Sequence, residues 1–434
     1  VRVYGQIILI ALFGLNIIDM YDLAIIGAGA AGIEAAKTAL KKGLKTVLIE
    51  KSPDCFGGTC LNRGCIPSKL YLNLVKQGKS LEEIFTKKNE VVKEIKRSAI
   101  SNLERQGAEF KWGEAVLAGD REIRINTQNI SAKNIILATG SVPRRVIEPD
   151  GKKIIFAEDI FSFSTLPVKF LIVGAGSVGI EIASFLNNLS KEVHVVEKEE
   201  EILPGFEETI AQRFRMILER KGIRIKTSTS FSECNLDNYD MVILACGRIA
   251  NTEGLGAENL DIEMQPENRR IKTGDYMRTN IDNIYACGDI TTTRMFAYIA
   301  EYQARISVEN IVGDKVKPVY RGIADCVFSS PQIAKIGIGE EESRRLNLNY
   351  RVLRTNFMRF SSSYAYNDTD GFMKILFDGN NKILGATIIS QLACELINIF
   401  SLSIRHNLSL DILKESVFIH PTFSEIIPIF LRDL

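Results

Sequence analysis

The chain has 434 residues, 46% hydrophobic and 25% charged, which is enough for two to four domains with sizeable cores. Lys and Arg number 54 against 53 Asp and Glu, a net charge of +1, so there is no electrostatic ground for a nucleic-acid partner. Eight scattered cysteines in a chain of this length exclude a secreted disulfide framework and fit a reducing compartment.

In chain order, residues 1–19 stand apart. Ile7 to Ile18 is a run of 12 largely apolar residues preceded by Arg2, shorter than the about 20 that a bilayer span takes. No A-x-A-like cleavage site follows it. It reads as an extension outside the first domain, with a membrane-associating segment as the alternative. The first domain begins at Met20-Tyr21-Asp22. Tyr21 to Ile26 is predicted as an apolar strand, followed by Gly27-Ala28-Gly29-Ala30-Ala31-Gly32, a helix to about Lys42, and a second strand, Thr46 to Ile49, ending at Glu50. The first glycine makes a tight turn, the second lets a pyrophosphate approach the backbone, and the third lets helix and strand pack closely. The phosphates sit on the free N–H groups of the helix N-terminus, and Glu50 is placed to accept hydrogen bonds from a ribose diol.

Next comes Gly57-Gly58-Thr59-Cys60-Leu61-Asn62-Arg63-Gly64-Cys65-Ile66-Pro67-Ser68-Lys69. Cys60 and Cys65 are five residues apart and can store two electrons as a bond. The same spacing also serves two buried structural thiols or half of a zinc site. Zinc needs a second ligand pair at short spacing, and Cys55, Cys234, Cys246, Cys287, Cys326 and Cys394 offer none, so no metal is expected. Residues 87–105 read as a charged amphipathic helix with a solvated face.

The nucleotide unit then recurs. Phe170 to Val173 leads into Gly174-Ala175-Gly176-Ser177-Val178-Gly179, a helix, and Val193 to Val196 ending at Glu197. First glycine to acid is 23 residues in both copies, so two dinucleotide sites are implied. Glu197 accepts from an unmodified ribose and repels a 2′-phosphate, and the following Lys198-Glu199-Glu200-Glu201 adds three acids; this favours NAD over NADP. Ile135 to Gly140, Met241 to Arg248 and Ile284 to Asp289 are strands ending in turns. After about residue 315, strands of alternating polarity (Lys374 to Phe377, Lys382 to Ala386) and helices around 391–415 indicate a separate α+β domain.

With the cysteine pair, two fingerprints and Gly288-Asp289 in this order, the chain resembles the pyridine nucleotide-disulfide oxidoreductases over residues 20–434, and within them the dihydrolipoamide dehydrogenase branch. The fold class implied is α/β: two Rossmann-like dinucleotide-binding domains plus a C-terminal α+β dimerisation domain. The expected division is 1–19 extension, 20–145 with 270–315 FAD-binding, 146–269 NAD-binding, and 316–434 interface. By resemblance, Gly27, Gly29, Gly32, Glu50, Lys51, Gly58, Thr59, Lys69, Thr139, Gly140 and Asp289 hold FAD, and Gly174, Gly176, Gly179, Glu197 and Gly247 hold NAD. Cys65 is then the thiol against the flavin and Cys60 the thiol that meets the substrate, with Lys69 paired to Glu181. His420-Pro421-Thr422-Phe423-Ser424-Glu425 resembles the family's H-P-T-x-x-E, in which the histidine is the acid/base, oriented by the glutamate, and serves the cysteines of the other subunit; a homodimer is implied. A histidine suits that task because its ordinary pKa lies near working pH.

Three residues depart from the lipoamide branch: Phe418 before Ile419-His420, Tyr298 after Ala297, and Ala250 after Ile249. They bear on the substrate, which the resemblance gives as lipoamide or another small disulfide. A 2-oxoacid dehydrogenase complex is a further expected partner, and the cytoplasm the expected location. Glutathione reductase remains a rival, opposed by Glu197. A non-catalytic FAD-binding subunit is another, opposed by the intact Cys60, Cys65, Lys69, His420 and Glu425. Branches with an extra C-terminal cysteine pair differ from this chain, which has no cysteine after Cys394.

Overall fold

The computed structural model describes residues 20–432; the expectation for 1–19 lies outside them. The chain divides into two compact units. One holds residues 20–67, 89–144 and 248–318; the other holds 68–88, 145–247 and 319–432. The division falls inside two helices, Cys65–Lys76 and Leu81–Arg105.

In the first unit, the strand Tyr21–Ile26 lies between Thr46–Glu50 and Gln128–Leu137, all parallel, with Glu109–Trp112 beyond Thr46–Glu50 and Ile284–Ala286 against Gln128–Leu137. The helix Ala30–Lys41 makes the crossover between the first two strands. Side chains alternate across this sheet: Leu23, Ile25 and Leu48 enter one core, and Ala24, Ile26, Val47 and Ile49 the other. Burial on both faces explains why the strands read as continuous apolar runs. Antiparallel strands Ala115–Leu117 and Glu122–Ile125 extend the far edge.

The second unit repeats the plan. Lys169–Val173 is flanked by Glu192–Val196 and Met241–Leu244, with Arg224–Lys226 and Ile154–Phe156 outermost, all parallel. Alternate residues again serve two cores, Phe170 and Ile172 on one side, Leu171 and Val173 on the other. The same unit contains a five-stranded antiparallel sheet in the order Asp325–Val327, Gln332–Gly337, Ile383–Ser390, Phe372–Asp378, Tyr350–Asn356. The helices Ala393–Arg405, Leu410–Glu415 and Ile426–Leu431 share a core with it.

Three features differ from the sequence reading. Residues 248–269, expected with the second nucleotide fold, belong to the first unit: Arg248–Ala250 pairs antiparallel with Ser141–Pro143, and Leu255, Ala257 and Ile262 fill the core behind Tyr21–Ile26. Phe372–Asp378 does not alternate but is buried on both faces. Its Lys374, 2% exposed, is tolerated because its ammonium reaches the carboxylates of Glu207 and Glu340. The charged helix extends further than expected, Leu81–Arg105, and anchors through buried Ile84, Lys88 and Leu103 while most of its surface stays solvated.

Candidate active site

The two glycine turns match in detail. Gly27 and Gly174 both have φ of +102°, a region L side chains rarely adopt. A Cβ on Gly32 would overlap the carbonyl of Gly27, and one on Gly179 the carbonyl of Gly174. The third glycine of each copy is therefore required by helix–strand contact. Ala28 N donates to Glu50 Oε2 at 2.8 Å, and Ala175 N donates to Glu197 Oε2 at 2.7 Å. The other carboxylate oxygens accept from Lys51 N at 2.7 Å and Glu199 N at 3.1 Å. Each acid thus locks its own turn and keeps acceptor capacity, since a carboxylate has about four lone-pair sites.

These cradles fit a dinucleotide. The helices Ala30–Lys41 and Ser177–Asn188 begin at Gly29 and Gly176 with no side chain capping them and no acid in the first turn. A Cβ on Gly176 would meet nothing within 4 Å, and one on Gly29 only Gly58 Cα at 3.9 Å. Uncapped N–H groups in open space at a helix N-terminus are a site for phosphate.

Around the first cradle, Thr139 Oγ1 donates to Asn251 O at 2.6 Å, and Gly140 has φ of +73°. Asp289, beyond Ile284–Ala286, accepts from Ser141 Oγ at 2.6 Å. Arg248 Nε donates to Ser141 Oγ at 2.7 Å, while its Nη2 donates to Ser141 O at 2.7 Å and to Thr59 Oγ1 at 3.3 Å. The guanidinium therefore links the turn after Gln128–Leu137 to the residue preceding Cys60. Sequence reasoning missed Arg248 and Ser141; the only signal was that Arg248 directly follows a strand-end glycine. Lys51, expected at FAD, pairs with Glu114 at 2.7 Å on the surface.

Gly57 and Gly58, at φ of +91° and +60°, turn the chain into the short helix Gly58–Arg63, which carries Cys60. Gly64 interrupts it, and Cys65 opens the helix Cys65–Lys76. Asn62 Nδ2 holds the break by donating to Phe56 O at 3.0 Å and Gly58 O at 2.8 Å. Cys60 is half-buried and Cys65 exposed. The Cys65 thiol, donating to the Cys60 sulfur, holds Cys60 below the ordinary thiol range, against burial and the carboxylates of Glu301 and Asp289. A thiol held low ionises more readily, and the thiolate is the reactive form.

In the second unit, Lys69 and Glu181 do not form the expected ion pair. Lys69 Nζ sits over the Phe328 ring, 3.1 Å from its centroid. Glu181 accepts from Phe328 N at 2.9 Å and Ser68 Oγ at 3.2 Å. Burial pulls Lys69 below the usual lysine range, with Glu181 among the charges opposing it. Burial also raises Glu181, against those two hydrogen bonds and the Lys69 charge. The two residues interact through their fields, with Phe328 meeting both. His420 Nδ1 lies 2.8 Å from Glu425 Oε2; the imidazole is 71% exposed and the carboxylate side chain 9%. His194 is held by Tyr239 OH and Glu192, each at 3.0 Å. Gly247, at φ of +89°, follows Met241–Leu244.

Duplicated cradles, a dithiol five residues apart and an oriented histidine define a flavin- and nicotinamide-linked disulfide oxidoreductase. The chain belongs to the pyridine nucleotide-disulphide oxidoreductases: residues 21–304 match that family, and residues 323–429 match its dimerisation domain. It is an oxidoreductase of the FAD- and NAD(H)-using kind, in line with the resemblance and the fold class read from the sequence. It is 33% identical to the dihydrolipoyl dehydrogenase of Chlamydia pneumoniae, over 94% of this chain and 95% of that one. It is 31% identical to that of Mycoplasma genitalium, over 94% and 97%. Among solved structures it is similar to the Cu(II) complex of the HOCl-induced flavoprotein disulfide reductase RclA of Escherichia coli, with a TM-score of 0.89 and 26% identity over 96% of this chain and 100% of that one. Among the described residues no helix is long and apolar enough to cross a membrane.

Proposed function

We propose that this oxidoreductase oxidises dihydrolipoamide to lipoamide with NAD⁺ through a Cys60–Cys65 disulfide, working as a homodimer. The observation that carries the proposal is the placement of Cys60 on the short helix Gly58–Arg63 and of Cys65 at the start of the next helix, five residues on, directly behind the turn at Gly57 and Gly58. In the forward direction, His420 of the second subunit takes a proton from one substrate thiol. The substrate thiolate attacks Cys60 Sγ, the Cys60–Cys65 bond breaks, and Cys65 leaves as a thiolate. The second substrate thiol then displaces Cys60, releasing cyclic lipoamide and leaving both protein thiols reduced. Glu425 holds the His420 ring through Nδ1. Bound FAD supplies the two-electron carrier between this dithiol and the nicotinamide. Gly27, Gly29, Gly32, Glu50, Gly58, Thr59, Thr139, Gly140 and Asp289 would bind it, and Lys69 would favour negative charge on its ring. Gly174, Gly176, Gly179, Glu197 and Gly247 would bind NAD, with Glu197 selecting the unmodified ribose.

A second reading is reduction of another small disulfide, favoured by Phe418 preceding Ile419-His420 and by the likeness to a flavoprotein disulfide reductase. A working dithiol suits a cytoplasmic setting, and docking on a 2-oxoacid dehydrogenase complex would follow from the lipoamide reading. The test is Cys60→Ser in the purified enzyme: dihydrolipoamide oxidation should be lost while flavin stays bound. Loss of flavin with retained folding would make the cysteines structural and overturn the proposal.

A further inference from the structure

A second pair of thiols lies in the second unit. Cys326 is on the strand Asp325–Val327, opposite Ala334 of the neighbouring strand. Cys394 is 68 residues further along, in the first turn of the helix Ala393–Arg405. That turn is pinned to the same two strands: Cys394 N donates to Gln332 Oε1 at 3.0 Å, and Cys394 Sγ lies 3.9 Å from Val327 O. The Cys394 thiol donates to Val327 O, the carbonyl next to Cys326, and Cys326 packs on the same core as Ala393, Leu396 and Ile397 of that helix; the neighbouring Cys326 and burial push the Cys394 thiol up. Cys326 is half-buried and reachable, whereas Cys394 is buried. The ammonium of Lys69 acts on both sulfurs and sits over Phe328, two residues beyond Cys326. A reachable thiol beside a protected one, facing a cation, is the arrangement in which the first is oxidised and the second resolves it.

We propose that Cys326 and Cys394 form a peroxide-oxidisable dithiol, which closes to a disulfide joining the strand Asp325–Val327 to the start of the helix Ala393–Arg405. The Cys326 thiolate attacks a peroxide oxygen, and the O–O bond breaks. The products are Cys326 sulfenic acid and a hydroxide that takes up a proton. Cys394 gives up its proton and attacks the Cys326 sulfur; the S–S bond forms, the S–O bond breaks, and water leaves. Two thiols lose two electrons and two protons, and hydrogen peroxide becomes two waters. Lys69 stabilises the transient thiolates by charge. A dithiol reductant reverses the change. The pair is separate from Cys60 and Cys65, and the proposal does not depend on which substrate the enzyme takes.

The test uses the reduced holoenzyme treated with hydrogen peroxide, blocked with iodoacetamide and digested with trypsin without reductant. The peptide 322–335 should be found joined to 383–405, and dithiothreitol should separate them. In Cys394→Ala, Cys326 should stop at the sulfenic acid and be captured by dimedone. The Cys60–Cys65 bridge gives its own peptide and is scored separately. Recovery of Cys326 and Cys394 fully alkylated in the wild-type enzyme, or Cys326 joined to a different cysteine, would overturn the proposal.

Discussion

His420 Nδ1 is held 2.8 Å from Glu425 Oε2, an exposed imidazole on a buried carboxylate. With Nδ1 engaged, Nε2 is the nitrogen directed at chemistry. His420→Ala should lower turnover with dihydrolipoamide by about 10²–10⁴-fold. Glu425→Gln should cost less, roughly 10-fold to 10²-fold, because the ring keeps a hydrogen-bond partner at Nδ1. Steady-state assays check both, with flavin content unchanged. Equal losses in the two variants would mean that the glutamate does more than orient the ring.

The acidity of Cys60 rests on the Cys65 hydrogen bond. A thiol held below the ordinary value of about 8.5 ionises at lower pH. Iodoacetamide should therefore alkylate Cys60 of the reduced enzyme faster at pH 7 than it alkylates a free thiol. The rate should fall as pH drops through the lowered value. In Cys65→Ala that inflection should move upward, as the donor is gone and burial remains. An unmoved inflection would place the cause elsewhere.

Gly179 packs under the carbonyl of Gly174, as Gly32 packs under Gly27. Gly179→Ala should destabilise the protein by about 1–3 kcal/mol through overpacking and weaken NADH binding while leaving flavin bound. Gly32→Ala should do the converse. Thermal unfolding and NADH titration separate the two.

Glu197 turns one carboxylate oxygen to Ala175 N and is 6% exposed. Glu197→Ala should reduce kcat/KM for NAD⁺ by roughly 10-fold, the equivalent of one lost charge-assisted hydrogen bond. It should spare or raise activity with NADP⁺. A preference for NADP⁺ in the unaltered enzyme would contradict the ribose reading.

The two nucleotide folds were legible because their signals are local. A strand, a glycine turn, a helix and an acid at fixed spacing leave little for long-range packing to alter, and the Ala28–Glu50 and Ala175–Glu197 hydrogen bonds follow from that spacing. The environment of Lys69 was not legible. Its neighbour Phe328 is remote in sequence and carries no motif, yet its ring takes the lysine and its N–H takes Glu181. Arg248 was hidden for a related reason: its role depends on the pairing of Arg248–Ala250 with Ser141–Pro143, which moves residues 248–269 out of the expected domain. Lys374 gave an alternating pattern on paper because partners that neutralise it, Glu207 and Glu340, come from distant segments.

The central claim is the substrate and its cofactor together. The most direct measurement is a paired assay of the purified enzyme, lipoamide with NADH against glutathione disulfide with NADPH. The account predicts rapid turnover in the first, its loss in Cys60→Ser, and little in the second. Turnover only with glutathione disulfide and NADPH would contradict it.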